Sequence, residues 1–127
     1  MPAGSMRVRN TVLAVIGVVA LLLKASYAGP FAEVVHSYAG NFVVSFALYF
    51  AAVSGTEPCR WPRAGAVAIV LLAVTLFEIA DGFGFMANVY DPVDLLANAA
   101  GVGFAIAVDL VSARLMSGEA HRGSAAA

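Results

Sequence analysis

Charge is what this sequence has least of. Of its 127 residues, 12% are Asp, Glu, Lys or Arg, while 61% are hydrophobic. Soluble domains carry about 25% charged and roughly 45–50% apolar residues. A chain this short keeps a large share of its surface exposed in any fold, so it cannot hide such an apolar excess from water. That excludes an ordinary water-soluble domain and leaves a lipid bilayer as the fitting solvent. Cysteine occurs once, at Cys59, which excludes an intramolecular disulfide and a site built on several thiolates. Basic residues are not in excess, with seven Lys and Arg against eight Asp and Glu. No nucleic-acid-binding surface is expected from that balance. Histidine is scarce too, and His36 and His121 are expected on opposite sides of the membrane. No Ser/His/Asp set, His–Glu zinc motif or phosphate loop is present. Enzymatic activity is left open and is the less favoured reading.

Long apolar runs are abundant. Four of them have a length near the roughly 20 residues that a transmembrane helix needs. The pattern predicts an all-α integral membrane protein, a bundle of four transmembrane helices at about 9–28, 36–54, 62–81 and 92–116. Together they form one domain over 1–117, followed by a disordered cytoplasmic tail over 118–127. The breaks between runs hold turn formers: Gly29-Pro30, Gly55 to Pro58, Pro62 and Gly82 to Gly84. Asp91-Pro92 is a helix start, with Asp91 as N-cap and Pro92 at the first helical position. Trp61, next to arginines, suits an interfacial anchor.

Basic residues set the orientation. With the N-terminus in the cytoplasm, Arg7, Arg9, Arg60, Arg63, Arg114 and Arg122 all fall inside, and only Lys24 falls outside. That bias places both termini of a multi-pass membrane protein in the cytoplasm. An alternative treats the first run as a secretory signal peptide cleaved after Ser26-Tyr27-Ala28. Lys24 sits awkwardly for it.

Acidic residues collect at the other side. Glu33, Glu78, Asp81, Asp91 and Asp94 map to the outer face, which the rule for basic residues does not explain. Glu78 and Asp81 are three apart and share a face of the third helix. Asp94, Asn98 and Gly101 follow one another by four and three residues along one stripe of the fourth. The short connection makes these helices antiparallel neighbours, so the two stripes can meet near the outer surface. Ionisable groups at membrane depth usually face a bundle interior or a wet cavity. The candidate binding residues are Asn41, Glu78, Asp81, Asp91, Asp94 and Asn98. Blander roles stand beside this one: Asp91 and Asp94 can serve the helix start, and Asp81 can sit in the loop. Lys24 can reach the outer headgroups or pair with the acidic cluster. His36 reads as an interfacial residue. Ala97, Gly101 and Ala105 form a small-residue stripe suited to close helix packing. Asp109 lies within the fourth helix, and Arg114, five residues on, need not pair with it.

The run Asp91-Pro-Val-Asp94-Leu-Leu-Ala-Asn98-Ala-Ala-Gly101 resembles the D-x-x-D-L-x-x-N-x-x-G motif of VanZ-like membrane proteins. Gly40-Asn41-Phe42 is similar to a Gly-Asn pair in an earlier helix of that family, and Glu78 stands at about the spacing of its glutamate. The resemblance spans roughly residues 36–106. Where the family commonly has Gln, Arg and a later Gly, this chain has Asp81, Asn88 and Ala105. Without that arginine, four carboxylates stand nearly uncompensated, which favours a bound cation or a carboxyl of raised pKa. The resemblance implies a cell-envelope protein and the residues Asn41, Glu78, Asp91, Asp94, Asn98 and Gly101, and it implies no reaction.

Function is therefore expected at the outer polar cluster, as binding of a lipid or cell-wall headgroup or of a cation. No cofactor is expected beyond a divalent cation held by oxygen ligands. The bilayer is the expected partner, together with a lipid-linked envelope component, and homo-oligomerisation is open. The competing readings are a structural protein whose polar stripe glues helices together, and a small transporter. The transporter reading lacks an acidic residue in the first helix.

Overall fold

The computed structural model describes residues 3–56, 62–82 and 91–125, with side chains over 4–56, 62–80 and 91–116. Cys59, Arg60, Trp61 and Asn88 lie outside the described residues, as does the Asp81 side chain. Four helices run in chain order: α1 (Ala3–Lys24), α2 (Ala32–Thr56), α3 (Arg63–Gly82) and α4 (Pro92–Ala125). No strand occurs among the described residues. Each helix contains a window long and apolar enough to cross a membrane.

Local sequence explains the boundaries at the start of α4. The Asp91 carboxylate accepts a hydrogen bond from the Val93 backbone N–H at 2.9 Å. The Asp94 N–H bonds the Asp91 carbonyl at 3.0 Å, so this end is capped as the Asp-Pro pair predicts. The end of α1 differs from the expected 28. It stops at Lys24, before Gly29-Pro30, where Ser26 and Tyr27 turn back onto the Leu23 and Lys24 carbonyls at 3.1 Å. The Lys24 ammonium donates to the His36 carbonyl at 3.0 Å, which ties the end of α1 to the first turns of α2. Phe31 follows with a φ of 60°, a left-handed conformation just before α2.

The end of α4 also departs from expectation. The helix continues to Ala125 where a disordered tail was expected from 118. No proline interrupts 117–125, and Glu119, Ala120, Arg122 and Ala125 are good helix formers, which outweighs Gly118 and Gly123.

The helices alternate in direction, and α2 is their hub. It packs against α1, α3 and α4, while α3 also packs on α4. By backbone proximity α1 touches α2 alone. The buried core lies at mid-height: Phe46, Tyr49 and Phe50 of α2, Val70 and Val74 of α3, Val102 and Ala105 of α4. Phe104 meets Phe42 and Phe46 with ring centres 5.7 and 5.8 Å away. Gly101 sets a close approach between α4 and α2. A Cβ there would collide with the Phe42 carbonyl oxygen, so the α4 backbone lies directly on that of α2. Gly17 does the same for α1, where a Cβ would stand 2.8 Å from that of Ala47. Of the expected packing stripe, Gly101 and Ala105 are buried and Ala97 is half-buried.

Candidate functional site

Alternating helix direction brings the starts of α2 and α4 to the same end as the finish of α1 and α3. This end carries Lys24. The opposite end carries Arg7, Arg9, Arg63 and Arg114. Each end holds a polar cluster, and the apolar core separates the two.

At the Lys24 end the geometry divides the candidate residues into two neighbouring cavities. The first holds about 400 Å³ and lies between α2 and α3, floored by α4. Its polar wall is Asn41, Glu78 and Asn98, and its apolar wall includes Val44, Leu48, Val74 and Phe77. Glu78 and Asn98 are both buried, at 8% and 3% exposure. The Asn98 amide donates to the Glu78 carboxylate at 3.3 Å and its carbonyl accepts the Ser45 hydroxyl at 2.6 Å. This chain of polar groups links α2, α3 and α4 at one level. Ser45, with no exposure, is a member that sequence reasoning did not single out. Its spacing from Asn41 was the available signal, since residues four apart share a helix face.

The second cavity holds about 420 Å³ and is polar. Lys24, His36, Tyr38, Asn41, Asp91 and Asp94 line it together. Asn41 belongs to both cavities and is their common wall. The two aspartates differ. Asp91 uses one oxygen for the helix cap and accepts the Tyr38 hydroxyl on the other at 3.1 Å. Asp94 is buried to nine-tenths, and among the described residues its carboxylate has no hydrogen-bond partner. Lys24 forms no ion pair among the described residues, and it donates to the His36 carbonyl. The His36 ring bonds the Tyr27 carbonyl at 2.9 Å. Among the described residues no group of three His, Cys, Asp or Glu side chains is placed to hold a metal ion.

The opposite end holds a cluster that sequence reasoning missed. Asp109 is completely buried and accepts from all sides. Arg9 of α1 pairs with one carboxylate oxygen. Arg63 of α3 binds the other through Nε at 2.7 Å, and the Tyr49 hydroxyl of α2 donates to the same oxygen at 3.0 Å. Arg9 is further held by the buried Asn10 amide oxygen at 2.7 Å and by the Ser112 hydroxyl oxygen at 3.0 Å. All four helices thus meet at one carboxylate. The sequence signalled only the face: Asp94, Asn98, Gly101, Ala105 and Asp109 continue a single stripe at spacings of three and four. The partners lie on the other three helices.

Compared with known protein families, curated proteins and solved structures, the chain matches none.

Proposed function

We propose that this chain is a VanZ-like multi-pass protein of the bacterial inner membrane that binds an amphiphile at its extracytoplasmic end. Both termini lie in the cytoplasm, where the arginines gather. The exterior supports a lipid surrounding. Leu22, Leu72, Leu96 and Leu115 are all more than 60% exposed, on three different helices. Soluble monomers rarely display apolar surface so extensively.

One observation carries the binding reading. A polar cavity and a mainly apolar cavity adjoin at Asn41, so a molecule with a polar head and a hydrocarbon tail can place each in matching surroundings. Leu48 and Phe77, on the rim of the apolar cavity, are exposed, which opens it sideways to the bilayer. The test is mass spectrometry of the purified chain in its folded state. A lipid stays bound to the wild type, and Ala73→Phe, which fills the apolar cavity, releases it while the helices remain intact. Equal lipid retention by both proteins would refute the reading.

A structural role has its own support in the Ser45–Asn98–Glu78 chain, which joins three helices without any ligand. On that reading Asn98→Ala lowers stability and leaves lipid retention unchanged.

A further inference from the structure

The polar cavity holds charges of both signs, and this specifies the head group. Asp94 is its unsatisfied member. A carboxylate buried to nine-tenths is unfavourable without a partner, and among the described residues it has none. Asp91 is the weaker candidate, because the α4 cap and Tyr38 each already engage one of its oxygens, whereas both Asp94 oxygens are without a partner among the described residues. The cavity therefore offers the buried Asp94 carboxylate as its first acceptor for new hydrogen bonds. Lys24 lines the same space. It has donated one of its three N–H bonds to the His36 carbonyl, and the other two remain available to an anion.

Resting on the amphiphile reading above, we propose that the bound head group is zwitterionic, with a primary ammonium joined to a phosphate, as in an ethanolamine phospholipid. The ammonium sits on Asp94 and the phosphate on Lys24. An anionic head group without an ammonium would face Asp91 and Asp94 uncompensated. A bare cation would leave Lys24 beside like charge. A choline head group has the charge but no N–H to give to Asp94, so charge-assisted hydrogen bonding separates the two zwitterions. One acyl chain passes Asn41 into the cavity walled by Val44, Leu48 and Phe77.

The test uses the delipidated full chain, titrated by native mass spectrometry with phosphatidylethanolamine, phosphatidylcholine and phosphatidylglycerol of identical chains. Phosphatidylethanolamine should bind tightest, by about tenfold, the size of one good charge-assisted contact. Asp94→Asn should erase its advantage over phosphatidylcholine, and Lys24→Gln should weaken both phosphatidylethanolamine and phosphatidylglycerol. Helical content and melting temperature serve as folding controls. Wild-type binding of phosphatidylglycerol as tight as phosphatidylethanolamine overturns the proposal without any variant. So does a folded Asp94→Asn protein that keeps the full preference. In either case the amphiphile reading stands as long as Ala73→Phe still expels the lipid. If lipid retention ignores Ala73→Phe, both fall together.

Discussion

Two guanidinium groups share the carboxylate of Asp109, and neither has a second acid among the described residues. Removing that carboxylate leaves Arg9, 12% exposed, to find new solvation inside the bundle. Breaking a buried pair in this way costs about 3–5 kcal/mol. Asp109→Ala is therefore expected to lower unfolding free energy in detergent by that amount. Arg63→Gln should cost far less, about 1 kcal/mol or below, because its side chain is half exposed and water screens the pair. Equal losses for the two variants would show that the cluster does not work through burial. At the other end, Asn98→Leu removes two interhelical hydrogen bonds, each worth about 0.6 kcal/mol and at most about 1.7 in a membrane protein. A double-mutant cycle with Ser45→Ala should return a coupling of that order. These residues differ in how far they could be read from sequence. The Asp91-Pro92 cap was legible because its hydrogen bond reaches two residues along the chain. The Asp109 partners were not, because they lie 100 and 46 residues away and local spacing carries no trace of them.

At the scale of the helix, α4 is the most constrained element. One stripe carries Asp94, Asn98, Gly101, Ala105 and Asp109, and all five are buried. Gly101 fixes how closely this stripe lies on α2. Gly101→Val should push the Phe42 carbonyl away and cost about 1–3 kcal/mol, the usual penalty for overpacking. Melting temperature reports the loss. A variant as stable as wild type would mean that the backbone contact is not required. Helix number and type were legible because apolar length decides both. Helix ends were less so. The end of α1 is set by a lysine that bonds across to α2, and the end of α4 by helix formers that continue past the apolar run.

For the molecule as a whole, the orientation proposed from the arginines has a built-in probe. Cys59 is the single cysteine, and in sequence it falls between the end of α2 and the start of α3, two helix ends that stand on the arginine-rich side. A membrane-impermeant maleimide should label it in inverted vesicles and leave it unlabelled in intact spheroplasts. Labelling in spheroplasts alone would reverse the topology and move the amphiphile site to the cytoplasmic leaflet. The uneven packing was not legible from sequence. Four similar apolar segments give no sign that α2 is the hub, or that α1, close to α2 alone by its backbone, reaches α4 through the Arg9 side chain. That asymmetry arises from where glycine and alanine permit close approach, a matter of facing pairs.

The shared carboxylate also imposes an order in time. Synthesis proceeds from the N-terminus, so Arg9 and Arg63 both exist before Asp109 is made. Until the fourth segment emerges, the first and third have no common acid to hold them. The last of these four helices to leave the ribosome is thus the one that closes the arginine end, and a chain truncated before Asp109 would remain open there.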